Sequence, residues 1–361
     1  MSYRTVLCLW LVLFLYPGGV TGQVYSDRKV RNFKANEKTT VEVSNKYGKI
    51  HVVSWDSDSV RFEVELRINA GNYQKMEKLR DNINFEFTAT KNFIVAKTVL
   101  TSPGNIISDF VDAFIPTNQV TINYMVYVPK NISLKIENKF GDIYIDDFSG
   151  NLDIILANGN LKANRLTGSP FIQLSSGNGT INSIDNGKIQ VSYSDLQIKE
   201  AGKVRLESKS SRLTVNGAVN LDIDSKRDKY EIDAVDYLTA SGYFSSFTIG
   251  NARKELRCNL KYGNIEVNHV ADVFSFINID SEVTDIDLYF KRTTSYNLDI
   301  THHNDVYINL PASLASIETK VLNEDEKLML TYGRIGSTAT ETSHKVKITA
   351  TKKCNINIIH R

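Results

Sequence analysis

The chain carries the octapeptide NKYGKIHV at residues 45–52, and this cassette returns as NKFGDIYI at 138–145 and as LKYGNIEV at 260–267. Each copy joins a short polar turn containing one glycine to a strand-like segment that alternates apolar and polar residues. Weaker copies lie between and after these. From residue 138 onward, the first strand position of every copy is aliphatic or aromatic: Ile143, Leu161, Ile181, Leu196, Leu213, Tyr230, Phe247, Ile265, Ile286 and Val306. The repeat therefore covers most of the chain, and its period is the main evidence for the fold class.

Each repeat unit is predicted to be a strand, a corner and a second strand. The residue two places after the first strand position is apolar again in most copies, which puts both side chains on one face of a strand. The residue two places before it mostly belongs to types that tolerate tight turns and positive φ: Gly141, Gly159, Gly179, Ser194, Ser211, Asp228, Ser245, Gly263, Thr284 and Asn304.

A strand repeat of this length, without a helical pattern, is what a β-solenoid requires, because one coil buries its apolar face only against the next coil. We therefore predict an all-β fold, a single-stranded parallel β-solenoid (β-helix or β-roll) with coils of about 17–21 residues and an elaborated N-terminal part. An antiparallel sandwich also shows short strands separated by turns. It does not keep one cassette in register over ten copies, so the solenoid is favoured.

Residues 1–22 have the pattern of a signal peptide. Arg4 supplies a basic start, an apolar run extends from Thr5 to Tyr16, and small residues at 20–22 offer a cleavage site. The apolar run is too short for a spanning helix, which needs roughly 20 residues, and no later stretch is predicted to span a membrane. The prediction is an exported protein of the periplasm, the outer cell surface or the extracellular space.

The charge of the chain is nearly balanced, with 43 Lys and Arg against 41 Asp and Glu and a formal net charge of +2. Nucleic-acid-binding domains are usually strongly basic on one face. The composition therefore gives no support to a nucleic-acid partner.

Cys258 and Cys354 are the cysteines outside the predicted signal peptide. Both alternate with aliphatic residues, so both should point into the core. Their positions predict a separation of about five coils, or ~24 Å at about 4.8 Å per coil. A disulfide needs Cα atoms within about 7 Å of each other, so we predict two buried free thiols.

The domain organisation is predicted in three parts. After the signal peptide, residues 23–129 form a less regular β segment with one short helix at Tyr73–Asp81 and a flap at 101–117. The flap is apolar enough to be either a cover over the solenoid end or a partner patch. Residues 130–361 form the solenoid repeats, and closing strands at 345–359 cap the open edge.

The cassettes at 46–52, 138–143 and 261–267, the strand end Tyr127-Val128-Pro129 and the signal peptide resemble the putative-adhesin β-solenoid family of exported bacterial proteins, which is common in Bacteroidota. The resemblance covers roughly residues 40–350. It implies a surface or periplasmic binding or scaffold role, and no catalytic motif comes with it.

An extracellular polysaccharide lyase or hydrolase on a β-helix is the enzymatic alternative. Such a site needs carboxylates that converge on one face. Asp285 and Asp305 are predicted at equivalent positions on neighbouring coils, but acids beside turns are usually solvated turn residues. His302 and His303 are adjacent in a strand and point to opposite faces, so they predict no shared metal ion. We predict a non-enzyme without a metal site or cofactor.

A column of lysines four positions before the reference residue is the candidate binding site: Lys139, Lys209, Lys226 and Lys261. It predicts a strip for an anionic cell-surface polymer, helped by aromatic neighbours if their rings reach the surface: Tyr47, Phe140, Tyr193 and Tyr262. The competing interpretation is that the lysines keep the solenoid soluble. The predicted partner is a cell-surface polysaccharide or an envelope protein, and self-association through the solenoid ends stays possible.

Overall fold

The computed structural model describes residues 23–101, 119–311, 315–336 and 343–361. The predicted signal peptide lies outside these ranges, and so does the predicted flap at 101–117 apart from Thr101. The described part contains one helix, α1 (Tyr73–Asp81). This helix is not long and apolar enough to cross a membrane. Its N-terminal strands are β1 (Gln23–Lys34), β2 (Thr40–Lys46), β3 (Ile50–Trp55), β4 (Ser59–Ala70), β5 (Ile83–Ala89), β6 (Phe93–Leu100) and β7 (Val120–Pro129).

The remaining strands follow in the same hydrogen-bonded sheet. They are β8 (Ser133–Lys139), β9 (Ile143–Ile145), β10 (Leu152–Ala157), β11 (Leu161–Leu166), β12 (Phe171–Ser175), β13 (Asn178–Ser192), β14 (Asp195–Lys209), β15 (Arg212–Lys226), β16 (Lys229–Tyr243), β17 (Ser246–Val270), β18 (Phe276–Phe290), β19 (Tyr296–His303), β20 (Tyr307–Asn309), β21 (Ala315–Asn323), β22 (Leu328–Ile335), β23 (Lys345–Ala350) and β24 (Asn355–His360). The protein is thus all-β with a mostly parallel sheet.

Strands β13 to β17 pair in parallel, each with the next along the chain. In the β14 and β15 pair, Asp195 lies beside Arg212 and Lys209 lies beside Lys226. Only residues 210–211 join the two strands, so the end of β14 returns close to its own beginning. This pairing is consistent with the predicted solenoid.

The core is built from columns of inward-facing aliphatic side chains. Ile198, Val215, Ile232 and Ile249 lie in one such column, adjacent in register and at most 1% exposed. Full burial of each aliphatic side chain contributes roughly 1.5–3 kcal/mol. The alternation of buried and exposed residues breaks at residues 199–200 of β14, which are both exposed.

The turns between successive units contain one non-glycine residue with a left-handed backbone. Its φ lies between 51° and 63° at Tyr47, Phe140, Asn158, Ser176, Tyr193, Ser210, Arg227, Phe244 and Tyr262. At most of these turns the position is one residue earlier than the glycine, serine or aspartate that the sequence marked as tolerant of positive φ, and at Ser176 it is three residues earlier than Gly179. At Gly141 the reason for glycine is instead close approach, because a Cβ there would overlap the carbonyl oxygen of Gly48.

The register corrects two of the predicted repeat positions. Leu161 pairs with Gly179, not Ile181, and Gly179 pairs with Leu196. A Cβ at Gly179 would meet Leu196 Cδ1 at 2.7 Å, so the neighbouring leucine fills the space that a side chain would take. The last position falls on Ile308 rather than Val306, because Ile286 and Ile308 both pair with Ile356. A shift of two residues keeps the same face inward, so alternation cannot detect it.

The strands β23 and β24 do not cap the sheet but lie inside it. β23 pairs with β18 on one side and β19 on the other, and β24 pairs with β18 and β20. The described edge strands at this end are β21, which pairs antiparallel with β22 alone, and β20, which pairs in parallel with β24 alone. The predicted closing role is therefore wrong: this segment fills a gap between strands that come earlier in the sequence.

The insertion also corrects the predicted distance between the cysteines. Cys258 on β17 pairs with Ile279 on β18, which pairs with Ile348 on β23. Cys354 follows in the turn between β23 and β24, so about two strand spacings of ~4.8 Å separate the two columns, not five. Both cysteines are nevertheless buried and free, as predicted.

The N-terminal part joins the same sheet through its own cassette. β2 pairs in parallel with β8, and β3 pairs in parallel with β9. The helix α1 occupies the range where the sequence predicts one, and its face with buried Met76 packs towards β4. Asn72 caps it, because its side chain accepts a hydrogen bond of 2.8 Å from Lys75 N.

Candidate functional site

The successive left-handed turns of β13 to β17 form a continuous surface, which we call the turn ridge: residues 193–195, 209–212, 226–229, 243–246 and 261–264. A groove of about 940 Å³ runs along it. The groove is lined by residues from all five turns, among them Tyr193, Arg212, Arg227, Lys229, Phe244 and Tyr262. Because each unit repeats the same turn, residues distant in sequence become neighbours about 4.8 Å apart.

Cations gather on the two central turns of the ridge. Lys209 lies beside Lys226, and Arg212 lies beside Lys229, each pair in register on neighbouring strands. Arg227 occupies the left-handed position between them. Five positive charges therefore come from two adjacent turns.

Only some of these charges are balanced by carboxylates. Lys229 donates to Glu231 at 2.7 Å, and its ammonium group holds the pKa of that carboxyl below its ordinary value. Arg212 lies 3.9 Å from Asp195. Within the described ranges, Lys209, Lys226 and Arg227 form no ion pair with a carboxylate. The Lys209 ammonium instead lies 5.8 Å from the centre of the Tyr193 ring.

A buried polar ladder beneath the ridge holds the turns in place. Gly177 N donates to Ser194 Oγ at 3.1 Å, and Ser194 N donates to Ser211 Oγ at 3.2 Å. Ser211 N donates to Asp228 Oδ1 at 2.8 Å, and Asp228 N donates to Ser245 Oγ at 3.2 Å. Each turn is thus fixed by a side chain of the next, which orders the exposed residues above the ladder.

Asp228 is the only carboxylate in this ladder among the described residues, and it is fully engaged there. Its Oδ2 accepts hydrogen bonds from Ser208 Oγ at 2.6 Å, Ser225 Oγ at 2.8 Å and Lys226 N at 2.9 Å. The side chain is buried. Asp228 lines the groove from beneath, and these hydrogen bonds hold its carboxylate within the ladder.

Exposed aromatic rings border the cations on one side. Tyr243, Phe244 and Tyr262 are 42%, 51% and 36% exposed. Phe244 and Tyr262 stack with centroids 5.0 Å apart and an interplanar angle of 17°. The Tyr243 ring meets both edge to face, at 4.6 Å and 5.7 Å. We call these three residues the aromatic cluster.

The structure brings two of the four predicted lysines together. Lys209 and Lys226 are direct neighbours, as predicted. Lys261 lies two rows further along, beside Tyr243, and forms an ion pair of 3.1 Å with Glu282. Lys139 lies four rows away in the other direction and pairs with Glu137 at 3.4 Å. The intervening rows contain Ala157, Ser175 and Ser192.

The predicted aromatic neighbours divide in a similar way. Phe140, Tyr193 and Tyr262 reach the surface, whereas Tyr47 is buried and stacks on Phe140 at 5.6 Å. Sequence reasoning missed Arg227 and Tyr243 as members of the site. The 17-residue step was the available signal, because Arg227 lies 17 residues after Ser210 and Tyr243 lies 17 residues after Lys226.

The carboxylate pair of the enzymatic alternative does not assemble. Asn355 lies between the two strands concerned, and its backbone N and Nδ2 both donate to Asp285 Oδ1, at 2.8 Å and 3.1 Å. Asp305 instead lies beside His303, with 3.4 Å between its Oδ2 and the Nδ1 of that residue. The two acids are therefore not on neighbouring strands, because β24 separates β18 from β20.

The histidines at 302–303 point in different directions. His302 is buried, and its Nε2 lies 2.9 Å from Thr331 Oγ1. His303 is half-buried and pairs with Asp305. Across the described ranges, no group of three or more His, Cys, Asp or Glu side chains is arranged to hold a metal ion.

Comparison with solved structures finds matches of low sequence identity. A putative adhesin from Parabacteroides distasonis is 14% identical, covers 75% of this chain and 95% of its own, and has a TM-score of 0.35. A putative adhesin from Parabacteroides merdae is 10% identical, with coverages of 73% and 92% and a TM-score of 0.32. A putative lipid binding protein from Parabacteroides distasonis is 11% identical, with coverages of 91% and 96% and a TM-score of 0.30.

No family model matches the chain, and no curated protein matches it. The turn ridge, with its cations and exposed rings, is the surface of this chain that bears on its function.

Proposed function

We propose that the chain is an exported, non-enzymatic β-solenoid that acts as an adhesin or cell-envelope binding protein and binds an anionic cell-surface polymer along the turn ridge. The observation that carries this proposal is the exposed group Lys209, Lys226 and Arg227, which has no carboxylate partner in the described part of the chain. A strip of unbalanced cations on a rigid surface attracts polyanions. The parallel units joined by two-residue turns support the coiled form.

The remaining parts of the proposal follow from the sequence. Residues 1–22 act as a signal peptide, residues 23–129 form the elaborated N-terminal β segment, and residues 130–361 contain the repeats. The mature protein resides in the periplasm, on the outer cell surface or outside the cell. Its partner is a polysaccharide or an envelope protein, and nucleic acid is not a partner.

The test is binding of purified residues 23–361 to immobilised anionic and neutral polysaccharides, with the length of the sugar chains measured in the same samples. The double variant Lys209→Glu, Lys226→Glu should bind anionic polymer about tenfold or more weakly at low salt, because it replaces two attractive charges by repulsive ones. Wild-type binding should also weaken as the salt concentration rises.

Lys199→Glu is the matched control, because Lys199 lies on the same strand β14 as Lys209 but is exposed on another face. It carries the same charge change as either single substitution of the double variant, and it should leave binding intact. Equal losses in both variants would contradict a site on the turn ridge. Shortened sugar chains would contradict the non-enzymatic proposal.

A further inference from the structure

Exposed aromatic side chains occupy positions of the turn ridge where the backbone conformation does not require an aromatic residue. Phe244 and Tyr262 have φ values of 55° and 56°, a left-handed conformation that is unusual for bulky residues. The equivalent turns have Ser176 at 56° and Ser210 at 52°. Because serine makes the same turn, folding does not account for the two exposed rings.

The arrangement of the rings leaves a broad apolar surface open to solvent. Phe244 and Tyr262 already stack on each other, and Tyr243 closes against the edges of both. A planar nucleobase therefore finds no gap between them. A ligand must lie across the outer side of the aromatic cluster, where the C–H face of a sugar ring provides a matching apolar surface.

The charges next to the cluster indicate what else the ligand must contain. Lys226 is the direct strand neighbour of Tyr243, and Arg227 belongs to the turn adjacent to Phe244. Lys261, on the far side, shares the Glu282 carboxylate with Lys352. Lys226 and Arg227, which form no ion pair with a carboxylate among the described residues, thus lie together on the other side of the cluster, within the reach of the next unit of an extended polymer.

We propose that the aromatic cluster is a stacking subsite for a pyranose ring and that the turn ridge takes an acidic polysaccharide, with sugar rings on the cluster and carboxylate or sulfate groups on Lys226 and Arg227. This inference rests on the proposed function and specifies its ligand. A polyanion without sugar rings satisfies the cations but leaves the aromatic cluster exposed.

The experiment compares three soluble probes by titration: polygalacturonate as an acidic polysaccharide, inorganic polyphosphate as a polyanion without rings, and a single-stranded oligothymidylate. The variant is Phe244→Ser with Tyr262→Asn, because Ser210 and Asn158 occupy the equivalent left-handed positions. Both substitutions therefore suit the backbone, and thermal unfolding would verify that the fold is kept. Tyr237→Ser is the control, since Tyr237 is an exposed ring outside the turn ridge.

Wild type should bind polygalacturonate more tightly than polyphosphate, and the double variant should lose about fivefold or more of its polygalacturonate affinity, as expected for lost ring stacking. The affinity of the double variant for polyphosphate should equal that of wild type. Equal polygalacturonate affinity in wild type and variant overturns the subsite, and so does tighter binding of oligothymidylate than of polygalacturonate. If neither polygalacturonate nor polyphosphate binds, the proposed function itself fails.

Discussion

The glycine at position 141 shows how closely neighbouring turns approach each other. A Cβ on Gly141 would overlap the carbonyl oxygen of Gly48, an atom of the backbone that cannot rotate away. We expect Gly141→Ala to lower the free energy of unfolding by roughly 3 kcal/mol, because the strain must be relieved by moving one turn against the next. Denaturant unfolding followed by circular dichroism measures this change.

Gly71→Ala is the control for the same added methyl group. No heavy atom lies within 4 Å of a Cβ built on Gly71, so the free energy of unfolding should change by less than about 0.5 kcal/mol. A loss of similar size in both variants would mean that close approach is not the reason for Gly141.

At the scale of single residues, the sequence predicted which side chains face inward far better than it predicted backbone conformation. Residues such as Ile198 and Val215 alternate with polar ones, and both are buried. The prediction put the left-handed residue one position too late, at Gly141, because glycine is the residue that most readily adopts a positive φ. Phe140 holds that conformation instead, and no local propensity of phenylalanine reveals it.

At the scale of elements, the strand β24 contains a titratable group that responds to acid. Burial lowers the pKa of His360 below its ordinary value, and its Nε2 lies 3.1 Å from the hydroxyl of Tyr296. Its ring also stacks on Phe290 on β18. The folded protein therefore binds a proton at His360 more weakly than the unfolded chain does, so stability should fall as the pH drops below about 6.5.

The variant His360→Gln should reduce this acid sensitivity, because glutamine stays neutral. The measurement is the difference in melting temperature between pH 7.5 and pH 5.0, which should be smaller in the variant than in wild type. His269→Gln is the control for the loss of an imidazole outside β24. If wild type and His360→Gln show the same difference, β24 is not the acid-sensitive element.

The order of the strands could be predicted from the sequence only where neighbours in space are also neighbours along the chain. The 17-residue step between Asp195 and Arg212 is visible in the sequence. The pairing of Ile286 with Ile356 is not, because it joins segments 70 residues apart.

The sequence predicted the cationic part of the turn ridge in outline, through Lys209 and Lys226. Tyr243 was missed, because it replaces a lysine in the same column.

At the scale of the whole molecule, the two cysteines report on different parts of the sheet. Burial raises the pKa of Cys258 to about 12 and that of Cys354 to about 11. Neither thiol should react with iodoacetamide at pH 8 in the folded protein, because the thiolate is the reactive form. Mass spectrometry after labelling at increasing denaturant concentration measures each site separately.

We expect Cys354 to be labelled at a lower denaturant concentration than Cys258. Cys354 lies in the turn between the inserted strands, whereas Cys258 lies within β17. Cys258→Ser and Cys354→Ser identify the labelled site in each case. Labelling of both thiols at one concentration would show that the sheet unfolds as a single unit and would contradict the expected order.

The position of the inserted strands β23 and β24 also constrains the order in which the parts of the sheet can fold. A ribosome delivers β18, β19 and β20 before the segment that must come between them. Strand β18 cannot pair directly with β19 or β20 in the way that β13 to β17 pair with each other, because β23 and β24 must come between them. Until it arrives, β18 presents an unpaired edge that is prone to aggregation. The proposed export, with the chain kept unfolded until after translocation, would avoid that exposure inside the cell.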